Sequence, residues 1–248
     1  MKIASLGMYD RQETKTANQE FFSKISEELI KNNILAPRAL VTVKDQLKLW
    51  KSKDLFLSQT CGLPYKLFLK DKVTLIGTLD YNIEGCQPGY YNSVFIVKKE
   101  NIDKTLANLS RSKFAVNEYH SLSGWAAPQN YLRKLKLKFN NVIISGSHRN
   151  SAKMVSEGMA DIASIDAVSF KFIKAYDNFS HNLRVIDVTP PAPGLPLITY
   201  KGANKSVFFS AVENAIHAMD SLSRQKLMIK GITSITKAEY LNIEIPKP

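Results

Sequence analysis

Short apolar, strand-like runs alternate with helix-like segments along almost the whole chain, and this rhythm restricts the fold more than any other feature. Ile3 to Leu6 is followed by a helix over roughly 16–33, and then come Asp54 to Ser58, Val73 to Leu79 and Ser93 to Val97. Strands joined through helices do not pair in tight hairpins, so the pattern predicts an α/β fold of mixed, mostly parallel sheets flanked by helices. In the first helix Phe21, Ile25 and Leu29 recur with Phe22 and Ile30 beside them. That single apolar stripe suits a face covering a sheet, and it marks core rather than a site.

The rhythm restarts with Lys113 to Asn117, a helix from about 124 to 138, Val142 to Ser145, a helix from about 150 to 158, and Ile162 to Ile165, which defines a second α/β unit. After Leu183 to Val188 stands Thr189-Pro190-Pro191-Ala192-Pro193-Gly194. Proline at this density fits neither a helix nor a central strand and reads as a crossing segment or hinge. Helices of about 204–220 and 236–243 finish the chain, without internal repeats or low-complexity tracts.

A chain of 248 residues, 44% of them hydrophobic, has material for one large domain or two lobes. No apolar run approaches the length of about 18 residues that spans a bilayer, and Met1 is followed at once by strand-like sequence. Neither a membrane span nor an export signal is expected, which implies a cytoplasmic location if Met1 is the native start. Lys and Arg total 34 against 22 Asp and Glu, a formal charge of +12 that favours anionic partners. The densest basic run, Arg133 to Lys138, alternates with apolar residues and lacks interleaved stacking aromatics. It reads as a solvated face, and no nucleic-acid partner is expected. Cys61 and Cys86 are too few for a disulfide-dense scaffold or a four-cysteine zinc site. Both are expected in one lobe and, in an exported protein, as a disulfide closing a loop of about 25 residues.

In open α/β sheets ligands bind beyond the carboxyl ends of strands, so the residues just after each strand are the informative ones. Five such stations are polar or aromatic: Met8-Tyr9-Asp10, Ser58-Gln59-Thr60-Cys61-Gly62, Asn117 through Gly124, Gly146-Ser147-His148, and Asp166. Ser121 and Ser123 precede a helix, where backbone N–H groups and the dipole favour an anion; a plain capping role is the alternative. Ser147 repeats the arrangement. His148 either donates to an anion or sits neutral in a polar loop, and Asp166 either meets a ligand cation or caps the next helix. Tyr91, after Pro88-Gly89, either stacks on a ligand or fills a junction between lobes. No nucleophile elbow, phosphate-binding loop, HExxH or GxGxxG motif is present, nor any metal-ligand spacing, so no catalytic residue, metal or cofactor is expected.

At the same stations, SLGMYD at 5–10, LSQTCGLPY at 57–65, PGYYNSVFIVKKE at 88–100, NEYHSLSGWAAP at 117–128, SGSHRNSAKMVSEGMADIASIDAVS at 145–169 and PGLPLI at 193–198 follow one another in order. Together they resemble the PhnD-like phosphonate-binding components of ABC importers, which have the type 2 periplasmic-binding-protein fold. The resemblance implies a discontinuous lobe of residues 1–95 and 188–248, a second lobe of 96–187, and crossings near 88–96 and 187–196. The hydroxyl-rich run that holds a phosphonate in such proteins falls on Ser121-Leu122-Ser123, where Leu122 removes one hydroxyl. The histidine carries over to His148 and the acidic strand-end residue, which meets a ligand amine, to Asp166; Tyr9 and Tyr91 match aromatic cleft positions. Gly7 departs from the proline of close relatives.

The function so implied is capture of a small anionic ligand, an organophosphonate, phosphite or related oxyanion, in an interlobe cleft lined by Tyr9, Ser58, Gln59, Thr60, Tyr91, Ser121, Ser123, His148 and Asp166. The implied protein partner is an ABC importer permease, with only peripheral contact to the membrane, and the resemblance implies a periplasmic location. The competing readings are a binder of a thiamine precursor or other heteroaromatic compound, a cytoplasmic enzyme on the same fold similar to those of menaquinone synthesis, and a ligand-sensing module.

Overall fold

The computed structural model describes residues 2–246. The chain divides into two compact units. One comprises the residues up to Tyr90 together with Pro193–Asn242, and the other comprises Tyr91–Ala192 with the residues from Ile243 onward. These boundaries differ from the sequence-based ones by a few residues at each crossing. They leave Ser93–Lys98 whole in the second unit, to which the C-terminal segment also belongs.

In the first unit β1 (Ile3–Ser5) pairs in parallel with β2 (Leu55–Gln59), and β3 (Val73–Asp80) follows before the chain reaches β4 (Tyr90–Tyr91) at the first crossing. The helix expected near 16–33 covers Lys15–Lys31 and buries Phe21, Phe22, Ile25 and Leu29. Ile30 lies outside that stripe and is 55% exposed. This helix packs on the helix Lys205–Ala218, which covers β3.

The second unit holds β5 (Ser93–Lys98), β6 (Lys113–Val116), β7 (Asn141–Ile144), β8 (Ile162–Asp166) and β9 (Leu183–Val188), in the sheet order β7-β6-β8-β5-β9. Its core gathers Phe95, Val97, Leu106, Phe114, Val116 and Ile162 beneath Leu132 and Phe139. The return crossing carries β10 (Ala192–Pro193), which pairs with β4, and β11 (Pro196–Tyr200) and β12 (Gly231–Thr233) complete the first sheet in the order β1-β2-β11-β3-β12.

Both sheets are mixed. β6, β7 and β8 run parallel, whereas β11 and β5 each run antiparallel to both neighbours. The alternation of elements alone does not reveal that pairing, because it is set by contacts far apart in sequence. Cys61 and Cys86 share the first unit but are free thiols, so the expected disulfide is not formed. Burial raises the Cys86 thiol, which keeps it protonated and a poor partner for thiol exchange. Among the described residues no helix is long and apolar enough to cross a membrane.

Candidate functional site

The carboxyl ends of β6, β7 and β8 lie side by side, and each leads into a helix whose first residue is capped by a short polar side chain. After β6, Ser121 adopts an extended conformation and its hydroxyl accepts the Gly124 N–H at 3.0 Å. It thereby starts the wide helical turn Leu122–Ala126, which continues as Ala127–Lys134. After β7, Ser147 accepts the Asn150 N–H at 3.1 Å and starts His148–Glu157. After β8, Asp166 caps Ala167–Tyr176. Ser145 N–H donates to the Val116 carbonyl and Gly146 N–H to that of Asn117, which ties the first two loops together.

These loops bring Ser123, His148 and Asp166 into contact. Ser123 Oγ and His148 Nε2 are 2.9 Å apart, and Nε2 lies 3.7 Å from Asp166 Oδ2. The second distance is too long for a hydrogen bond but short enough for the carboxylate to favour the protonated ring. Ser164 Oγ donates to the Ser123 carbonyl at 2.8 Å and fixes the start of the turn. Gly124 is required where it stands, since a Cβ there would overlap Asn117 Oδ1 and press on His148 Cε1. Ser121, Ser123 and Asp166 are buried. Burial lowers the pKa of His148 below its ordinary value of 6.5, against the opposing pull of Asp166 and the Ser164 backbone, so the ring is neutral at neutral pH.

Asp166 is itself occupied. Oδ1 accepts the Ser169 N–H at 2.8 Å and Oδ2 accepts the Ser169 hydroxyl. Asp166 thus caps the helix that follows it. Serine, histidine and aspartate meet here, yet they do not form a nucleophile-activating relay. Such a relay holds the imidazole through the nitrogen opposite the serine, whereas here Nε2 faces both groups. In this geometry Ser123 is not set up as an activated nucleophile.

The remaining expected residues are divided between the two units. Tyr9, Ser58, Gln59 and Thr60 belong to the first unit. Tyr9 stacks edge-to-face on Tyr81 with ring centres 5.3 Å apart. Ser58 does not end its strand but lies inside it, fully buried, donating to the Ser5 carbonyl at 2.7 Å and accepting the Trp50 indole N–H at 3.0 Å. Its hydroxyl thus donates one hydrogen bond and accepts another within the first unit. Gln59 donates to the Leu195 carbonyl at 3.3 Å, and Thr60 is buried with its N–H on the Pro196 carbonyl. Tyr91 is buried in the second unit. Among the described residues no group of three or more His, Cys, Asp or Glu is placed to hold a metal.

Sequence reading missed Ser164 and Ser169. For Ser164 a signal was available: it stands two residues before Asp166 on one strand, hence on the same face. Ser169, at the third position of a helix capped by aspartate, is typical of many helices and carried no distinguishing mark.

A family model described as ABC transporter, phosphonate, periplasmic substrate-binding protein matches residues 3–240. No curated protein matches the chain in sequence. Among solved structures, PhnD1 of Prochlorococcus marinus in complex with methylphosphonate is similar at TM-score 0.73 and 18% identity, covering 98% of this chain and 95% of that one. A Xanthomonas citri protein bound to chloride ion is similar at TM-score 0.71 and 12% identity, covering 97% and 95%. A binding-protein component of an ABC phosphonate transporter from Pseudomonas aeruginosa is similar at TM-score 0.69 and 16% identity, covering 95% and 81%. At such identities the structures speak for the fold, and the family match over nearly the whole chain speaks for descent. The chain belongs to the family of phosphonate-binding periplasmic substrate-binding proteins of ABC transporters.

Proposed function

We propose that this protein captures a small phosphorus oxyanion, an organophosphonate or phosphite, at the helix start around Ser121 and Ser123 and delivers it to the permease of an ABC importer. The observation that carries this reading is the placement of Ser121, Ser123 and His148 together at the carboxyl ends of parallel strands, where a helix begins. Helix starts leave backbone N–H groups without intrahelical partners and carry the positive end of the dipole, so they favour an oxyanion. Leu122 is buried between the two serines and supplies no hydroxyl. The anion is then held by fewer side-chain donors than a three-hydroxyl run would offer, and the backbone takes a larger share.

Titration calorimetry with methylphosphonate, phosphite and methanesulfonate tests this. Binding of at least one phosphorus oxyanion is expected. Ser123→Ala removes a hydroxyl facing a charged group, for which about 1.5–3 kcal/mol is typical, so affinity should fall by roughly 10- to 150-fold. Absence of binding with both phosphorus compounds, or unchanged affinity in the Ser123 variant, would overturn the assignment.

A further inference from the structure

Asp166 makes close contacts with Ser169 and His148. Its Oδ1 accepts the Ser169 N–H at 2.8 Å, its Oδ2 accepts the Ser169 hydroxyl, and the same Oδ2 faces His148 Nε2 at 3.7 Å. A carboxylate buried in this way acts on its neighbours through charge. We propose that Asp166 is a positioning residue that keeps His148 protonatable, so that capture of an oxyanion beside Ser123 is coupled to uptake of one proton from solvent by His148. The inference rests on the reading of the Ser121–Ser123 helix start as the oxyanion site.

The geometry supplies the coupling. His148 Nε2 is 2.9 Å from Ser123 Oγ, so an anion held by that hydroxyl brings a second negative charge close to a ring that already faces one. In a buried setting charges at this range interact strongly, and the imidazolium becomes the favoured form. Protonation also changes what Ser123 has to give. In the neutral tautomer with Nε2 bare the ring takes the serine proton for itself; in the imidazolium Nε2–H is fixed as a donor to Ser123 Oγ and leaves the serine proton for the ligand. The added proton thus balances charge and, from that tautomer, also frees a donor.

Asp166 at the end of β8 sets its carboxylate 3.7 Å from His148 Nε2. Arg149, next to it on the same helix, is committed to Asp177 at 2.7 Å. Glu118 and His120, on the loop leading to Ser121, are exposed.

The test is a proton titration of the four histidines by NMR, with His148→Gln identifying the resonance of interest, in the absence and presence of saturating methylphosphonate. The His148 midpoint should rise on binding by about one pH unit or more. Between the free and bound midpoints, the ratio of wild-type to His148→Gln affinity for methylphosphonate should fall by about tenfold per pH unit as pH rises, the ligand's own ionisation cancelling in the ratio. Asp166→Asn should lower both midpoints. Ser169→Ala, which strips one cap contact but leaves the carboxylate charged, should preserve the rise and so separates charge from folding damage. A His148 midpoint unmoved by methylphosphonate, or an Asp166→Asn protein that folds and titrates like wild type, would overturn the proposal. If wild type binds phosphite and not methylphosphonate, the same titrations are read with phosphite; failure to bind either at any pH would overturn the functional reading, and the proposal with it, before any midpoint is compared.

Discussion

Gly124 is held between two constraints that no other residue satisfies. Its N–H reaches Ser121 Oγ to close the cap, and the space a Cβ would need is taken by Asn117 Oδ1 and narrowed by His148 Cε1. Gly124→Ala forces the Asn117 amide to move and presses on the imidazole that serves Ser123. Overpacking of this kind costs typically about 1–3 kcal/mol, so the variant should unfold at lower denaturant and lose oxyanion affinity together. Asn117→Ala removes the overlapping amide, so the double variant should recover part of the lost stability. A double-mutant cycle by urea unfolding checks this, and strict additivity would show that the two side chains do not meet. Asn117 and Gly124 were both legible as members of one polar station. Their mutual exclusion was not, since it depends on a turn of wide helical geometry that sequence periodicity does not announce.

At the scale of elements, the short helix Lys237–Leu241 fastens both chain crossings from within the first unit. Glu239 completes a capping box with Thr236 and accepts the Tyr90 hydroxyl at 2.6 Å, on the first crossing. Tyr240, fully buried, donates to the Gly194 carbonyl at 2.9 Å on the return crossing and accepts from the Thr78 hydroxyl of β3. Gly194 allows this approach because a Cβ there would strike the Gly89 carbonyl oxygen. Tyr240→Phe keeps the ring and removes the hydroxyl, leaving a buried carbonyl and a buried hydroxyl each short of a partner. A cost of about 1–3 kcal/mol in chemical unfolding is expected, and a change below about 0.5 kcal/mol would mean that water replaces the lost contacts. The proline-rich hinge was readable from composition. The fastening was not, because Tyr240 lies more than forty residues from the strand it holds, and local pattern carries no record of such a partner. β11 escaped notice for the same reason: its apolar run Leu197-Ile198 is visible, but its antiparallel insertion between β2 and β3 is a non-local choice.

For the whole molecule, the alternation of elements carried the two α/β units and most strand positions, since the helical and strand periods are local properties of the chain. Buried polar residues were harder. Ser58, read from sequence as the end of its strand, lies inside β2, buried and hydrogen-bonded to Ser5 and Trp50. These buried and capped ionisable groups also set how the fold responds to acid, in two separate windows. Burial holds His148 below its ordinary 6.5, so the folded state resists protonating it while the unfolded chain does not. Stability from this source is complete above about pH 6.5 and is lost as pH falls below it. Glu239 is lowered from 4.5 to about 2 by the Thr236 hydroxyl first, then by the Tyr90 hydroxyl and the Thr236 N–H. Its contribution is present above about pH 4.5 and disappears as pH falls toward about 2. The thermal midpoint measured against pH should therefore decline in two steps. His148→Gln should flatten the upper step and leave the lower one, whereas Glu239→Gln should flatten the lower and leave the upper. Saturating methylphosphonate should shift the upper step in particular, because an imidazolium facing a bound anion no longer costs the folded state what it costs alone. A curve whose upper step survives His148→Gln unchanged would place that titration on another group and remove the basis for proton-linked capture.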